Sequence, residues 1–229
     1  MIHLKRLLPA LLPAILLTSA VHAQSSEVIQ KKGYKLTFTN QDATFPDTLK
    51  DKLIKTFFEV YPKLAKEYNR QTLKEVTFVI DTAYKGVAAT SNGRVVFSSK
   101  YMRSHAGDID VVTHEVMHIV QNYGRSVGPG WLTEGIADFV RYKFGVANPA
   151  AKWSLTPYKA GQSYKNSYRI TARFLAWIEA TKKKGLVKEL DKQLRLHTYT
   201  AESWTQLTGS ALDELWETYI KDPEFKIKG

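Results

Sequence analysis

The chain has 229 residues, with 33 Lys and Arg against 22 Asp and Glu for a formal net charge of +11, and 44% of its residues are hydrophobic. That length and apolar content suffice for one well-buried domain and leave no room for a second independent one. The absence of cysteine excludes a disulfide framework and lipid attachment at a cysteine, so the fold must rest on its core alone.

The chain opens with Lys5 and Arg6, an apolar run from Leu7 to Ala20, and small residues at Val21-His22-Ala23. This is the pattern of an export signal covering residues 1–23, with cleavage before Gln24, leaving residues 24–229 as a single domain. The run is interrupted by Pro9 and Pro13 and falls short of the roughly 20 residues a membrane span requires, so no transmembrane segment is expected. Of the 33 basic residues, 31 remain against 22 acidic ones, a mature charge of +9. A surface of that sign suits an anionic cell envelope or an acidic polymer, and export points away from nucleic acid. The expected protein is a monomer, periplasmic or secreted.

Residues 24–32 are polar and read as loose. Tyr34, Leu36 and Phe38 then alternate with polar residues at the period of a half-buried strand. Pro46 and Asp47 open a helical stretch in which Leu49, Leu53, Phe57, Val60 and Leu64 share one stripe, with Pro62 as a kink or an early end. Val76, Phe78 and Ile80 alternate again, and a hairpin follows, with Gly86 to Thr90 and Arg94 to Ser98 joined at Asn92-Gly93. The front half therefore reads as a small antiparallel sheet with one long helix.

Past Gly107 the pattern is helical. The spacing predicts helices over 108–123, capped by Gly124, and over 131–144, 168–181, 186–196 and 211–221, the last opened by Ser210 with Asp213. Gly128-Pro129-Gly130 is a tight connection, and the Pro-, Gly- and Ser-rich stretch 147–166 is a long loop. The fold class is α+β.

The chemistry concentrates in His114-Glu115-Val116-Met117-His118. Residues four apart on a helix lie one turn apart on one face, so two imidazoles can converge on one zinc ion, and Glu115 can serve as general base toward the hydrolytic water. A His six residues after His118 would complete another known ligand pattern, but that position is Gly124. Glu134, on the next helix, is the expected third ligand, because two antiparallel helices can set its carboxylate opposite the histidines. His105 and His197 are weaker candidates. Asp138, one turn beyond Glu134, is placed to receive the second N–H of a ligand imidazole, the plainer alternative being a salt bridge to Arg141. Gln121 shares the face of His118 and could hydrogen-bond near the site.

The runs from His114 to Gln121 and from Gly130 to Arg141, with Tyr168-Arg169-Ile170-Thr171-Ala172-Arg173-Phe174-Leu175 downstream, resemble the basic secretory protein family of plant and bacterial peptidases. That resemblance implies a zincin-like fold, and the Trp131-Leu132-Thr133-Glu134-Gly135 segment is similar to the glutamate-ligand helix of gluzincin aminopeptidases. It further implies one zinc per chain and a protein or peptide substrate lying extended along an edge strand, for which Arg94, Val95, Val96, Phe97 and Ser98 are the matching residues. Tyr168 takes the place of the tyrosine that stabilises the oxyanion, with Tyr164 and Tyr158 as rivals. The expected activity is peptide-bond hydrolysis. Two other readings stay open: a catalytically weak zincin-fold protein that binds envelope or carbohydrate surfaces, and a zinc hydrolase of a non-peptide bond.

Overall fold

The computed structural model describes residues 25–124 and 128–226, so the export segment assigned to 1–23 lies outside the described residues. The front half holds five strands and one long helix: β1 (Ser25–Lys31), β2 (Tyr34–Asn40), α1 (Asp47–Glu67), β3 (Glu75–Asp81), β4 (Ala88–Ser91) and β5 (Arg94–Ser98). They form one sheet in the order β1-β2-β3-β5-β4.

The pairing of this sheet is mixed. β1–β2 and β4–β5 are antiparallel as expected, whereas β2–β3 and β3–β5 are parallel. For β2–β3 the physical cause is α1, whose 21 residues carry the chain back across the sheet, as a parallel neighbour requires; for β3–β5 it is the passage through β4, which turns the chain back antiparallel into β5. The polar segment expected to be loose is the edge strand β1, almost wholly exposed. Asn92 (φ 49°) and Gly93 (φ 74°) make the two-residue turn between β4 and β5, where left-handed backbone suits the twist of a hairpin.

The strand order overturns the expectation for Arg94–Ser98. The chain passes from β3 to the outside of the sheet, forms β4 there, and turns back to insert β5 between β3 and β4. β5 is therefore internal, with Val95 and Phe97 fully buried, and the free edge belongs to Ala88–Ser91.

α1 lies on the sheet through its expected stripe. Phe57 meets Phe78 edge-on at 5.4 Å between ring centroids, and Phe78 meets Phe97 at 5.0 Å. Truncating one such fully buried side chain to Ala costs about 3–5 kcal/mol. Pro62 neither ends nor breaks the helix. It cannot donate to the carbonyl of Phe58 one turn back, and Lys32 Nζ donates to that carbonyl instead at 3.0 Å.

The second half is helical: α2 (Ser99–Ser104), α3 (Val111–Gln121), α4 (Gly130–Phe144), α5 (Tyr168–Thr181), α6 (Leu186–Arg195), α7 (Ser203–Thr208) and α8 (Leu212–Lys221), with one 3-10 turn at Tyr164–Asn166 inside the long loop. α3 ends earlier than expected, with left-handed Asn122 (φ 43°) as its cap in place of Gly124. At α8, Glu214 rather than Asp213 accepts the opening backbone N–H, that of Ala211, at 3.0 Å. Asp213 instead accepts the hydroxyl of Tyr164 at 2.7 Å.

α3 packs between α1 and α4, and α4 packs along α5. The α4–α5 approach is unusually close at Gly135, where a Cβ would lie 2.3 Å from Thr171 Cγ2. Thr171, fully buried, also donates its hydroxyl to the carbonyl of Tyr164. Among the described residues, one continuous hydrophobic core runs from Tyr34 to Tyr219, and no helix is long and apolar enough to cross a membrane.

Candidate metal centre

The start of α3 is fixed by a residue with no sequence signature. Asp110, fully buried, accepts the backbone N–H groups of Val146 and Ala147 at 2.8 and 2.6 Å and the hydroxyl of Thr113 at 2.9 Å. Three donors offset the cost of burying a carboxylate, and they tie the motif helix to the chain just beyond α4. One face of α3 then sinks Val112, Val116 and Val120 into the core, while His114, Glu115 and His118 line an open cleft of about 1490 Å³.

His114, His118 and Glu134 converge in that cleft as a group able to hold a metal ion. His114 Nε2 lies 3.2 Å from His118 Nε2 and 3.2 Å from Glu134 Oε2, and His118 Nε2 lies 3.5 Å from the same oxygen. A tetrahedral zinc site with ligand bonds of about 2.0–2.1 Å has edges of about 3.3–3.4 Å, so the three separations match one face of that tetrahedron.

The partners of the outer imidazole nitrogens make the case stronger. His114 Nδ1 donates to Asp138 Oδ1 at 2.7 Å. Gln121 donates its amide to the carbonyl of Thr133 at 2.9 Å, which fixes its orientation, so its Oε1 accepts from His118 Nδ1 at 2.7 Å. Both protons thus sit on the outer nitrogens, and two lone pairs and a carboxylate face one another inside. Three acceptors at this range repel unless a cation lies among them. A proton can play that part: burial opposes a charge on the His114 imidazole, yet its hydrogen bonds to Asp138 and Glu134 raise its pKa to about 10, so zinc must displace a proton held between His114 and Glu134. Glu134, which burial alone would raise, is driven far below the usual carboxylate range by hydrogen bonds from both histidines. The donor set of two imidazoles and one carboxylate fits zinc and leaves a position open.

Asp138 is therefore not the partner of Arg141, which pairs instead with Asp108. We expect Asp138→Asn to keep the fold and weaken zinc binding by about 10–100-fold, read by competition with a chromophoric chelator. Unchanged affinity would remove Asp138 from the site.

Glu115 is buried, and the Thr90 hydroxyl of edge strand β4 donates to its carboxylate at 2.7 Å. Sequence reading missed Thr90, because nothing in its spacing separates it from any other strand threonine. Tyr168 stands at the mouth, 55% exposed, its ring 6.1 Å from that of His114. The charge of Glu134, then burial, raises its phenol above the ordinary range. Ser167 (φ 68°) and Tyr168 (φ 49°) both hold left-handed backbone, a strain found at functional turns. The other tyrosines lining the cleft spend their hydroxyls elsewhere, Tyr84 on the carbonyl of Ala88, Tyr101 on Asp108 and Tyr123 on Asp191. Its rivals are also engaged, Tyr164 with Asp213 and Tyr158 against the rings of Trp216 and Tyr219. His105 stacks on Tyr101 and His197 lies two residues beyond the end of α6, and neither belongs to the metal group.

A family model described as "BSP: Peptidase of plants and bacteria" matches residues 18–219. Among solved structures, the fold is similar to Legionella pneumophila aminopeptidase A, crystallised with aspartic acid, at TM-score 0.59 and 15% identity, covering 85% of this chain and 27% of that one. It is also similar to an M1 zinc metallopeptidase from Deinococcus radiodurans at TM-score 0.52 and 8% identity, covering 90% of this chain and 53% of that one. The chain thus spans about a quarter to a half of the length of these structures, and identities this low establish the α+β zincin-like fold alone. No curated protein sequence matches the chain.

Proposed function

We propose, because this chain belongs to the BSP family, the peptidases of plants and bacteria, that it is an exported zinc-dependent peptidase with His114, His118 and Glu134 as ligands and Glu115 as general base. The observation that carries the reading is the triangle of acceptors at 3.2, 3.2 and 3.5 Å, each imidazole turned inward by its own partner. Export rests on the pattern of residues 1–23.

Bound zinc would supply Lewis acidity toward the scissile carbonyl and make water a better nucleophile at neutral pH. Glu115 takes the proton as water adds to the carbonyl carbon, and passes it to the amine nitrogen as the C–N bond breaks, ending as the carboxylate it began as. Thr90 keeps that carboxylate aimed into the cleft. Tyr168 donates its hydroxyl to the oxygen that becomes negative, the electrostatic contribution that acyl transfer depends on most. The substrate lies extended along β4, the edge strand that borders the cleft, and not along Arg94–Ser98.

The test is an unbiased peptide-library digest by the zinc-loaded mature protein. Cleavage should vanish with a chelator and return with zinc. Tyr168→Phe should lower kcat by about 10²–10³ at unchanged zinc content. Full activity in that variant would remove the tyrosine from the mechanism. Zinc bound without cleavage of any peptide would favour the recognition reading.

A further inference from the structure

The lining of the cleft is uneven in charge. The wall formed by β4 and its flanks is neutral, with Leu73, Tyr84, Val87, Ala88 and Ala89 facing the opening. A second part of the lining comes from the α2–α3 connection, from the last turns of α4, from 150–153 and from the first turn of α5, and it carries Asp108, Arg141, Lys152 and Arg169. Two of these cancel: Asp108 pairs with Arg141 and accepts the Tyr101 hydroxyl at 2.6 Å, while the Arg141 guanidinium lies 4.4 Å over the Trp153 ring.

Arg169 and Lys152 are left, both exposed and both outside every ion pair among the described residues. Burial and Asp108 push the Tyr101 phenol up to about 12, against the charges of Arg141 and Arg169, which puts the Arg169 guanidinium within electrostatic reach of this corner. Among the described residues of the cleft, no carboxylate pairs with it. Asp108 is taken, Thr90 holds Glu115, and Glu134 and Asp138 face the histidines.

We infer that this corner is a subsite for a carboxylate of the peptide substrate, with Arg169 as the residue that recognises it and Lys152 beside it. The inference rests on the peptidase reading for its substrate class. Arg169 follows Tyr168 directly, so its guanidinium is carried on the same turn that presents the proposed oxyanion donor. A guanidinium offers a planar fork that a carboxylate meets with two parallel hydrogen bonds, whereas an amide in its place offers one uncharged contact. The carboxylate belongs to an acidic side chain near the scissile bond or to the free carboxyl terminus of a short peptide.

The experiment uses the zinc-loaded protein and a set of fluorogenic peptides of one sequence. In one arm a single Asp replaces Asn at successive positions on either side of the bond; in the other, free and amidated carboxyl termini are compared. A carboxylate in the right place should raise kcat/KM about tenfold, through KM, and the arm that responds identifies its source. In Arg169→Gln that ratio should fall to about one, and in Arg169→Glu it should invert in favour of Asn. Equal cleavage of all peptides by the wild type overturns the subsite, as does an unchanged ratio in Arg169→Gln or a uniform loss of kcat on every peptide. If the wild type cleaves nothing, the peptidase reading fails separately, and anisotropy of the labelled Asp and Asn peptides decides. Preference for Asp that Arg169→Gln abolishes upholds the subsite, and equal binding overturns it.

Discussion

Replacing Glu115 by Gln should leave zinc content, fold and substrate affinity intact and lower turnover by about 10²–10⁴-fold, the range that a positioned general base contributes. The carboxylate is absent from the metal group formed by His114, His118 and Glu134, and its own hydrogen bond comes from Thr90. Gln has the same shape and can still accept from that hydroxyl, so packing is preserved while the site that would take a proton is lost. The measurement is zinc content, thermal melting and cleavage of a protein substrate, for wild type and variant side by side. Equal cleavage by both would mean a contaminating protease or another base. Loss of zinc in the variant would mean that Glu115 supports the metal and not the proton.

Glu134→Ala should act on the opposite property. Taking away one of three ligands leaves two imidazoles 3.2 Å apart, and zinc affinity should fall by more than the roughly 10–100-fold assigned to a hydrogen-bonding neighbour such as Asp138. Melting gives a second reading. Zinc at about a thousand times its Kd adds about 4 kcal/mol of apparent stability to a protein that binds it only when folded, and the variant should lose most of that increment. Calcium should give no increment in either protein, since nitrogen donors suit it poorly. Wild-type zinc affinity in Glu134→Ala would require a different third ligand.

Which features could be read from the sequence follows from their physical periods. The helices of the site announce themselves through apolar residues at helical spacing. That spacing also puts His114 and His118 on one face, Asp138 one turn beyond Glu134, and Gln121 beside His118. Strand order has no such signal. Tyr34-Leu36-Phe38 and Val76-Phe78-Ile80 alternate in the same way whether their strands run together or opposed, and it is the crossover through α1 that makes them parallel. Likewise Arg94–Ser98 reads as a half-buried strand, and only the insertion of β5 beside β3 reveals that Ala88–Ser91 holds the free edge. Asp110 and Thr90 were missed for a related reason: each is a short polar residue that binds a partner 25 or more positions away.

The contact between Gly135 and Thr171 ties two positions into one inherited unit. A methyl group at 135 would meet the Thr171 side chain at 2.3 Å, and Thr171 is fully buried and bound to the Tyr164 carbonyl, so neither residue has space to yield alone. Glu134 immediately precedes the contact on α4, and Tyr168 and Arg169 lie within one turn before it on α5. A lineage can therefore enlarge position 135 only if position 171 shrinks with it. Until both change, drift elsewhere on α4 or α5 cannot slide the proposed ligand past the proposed oxyanion donor, and new specificities are more readily reached through β4 and the 150–153 loop.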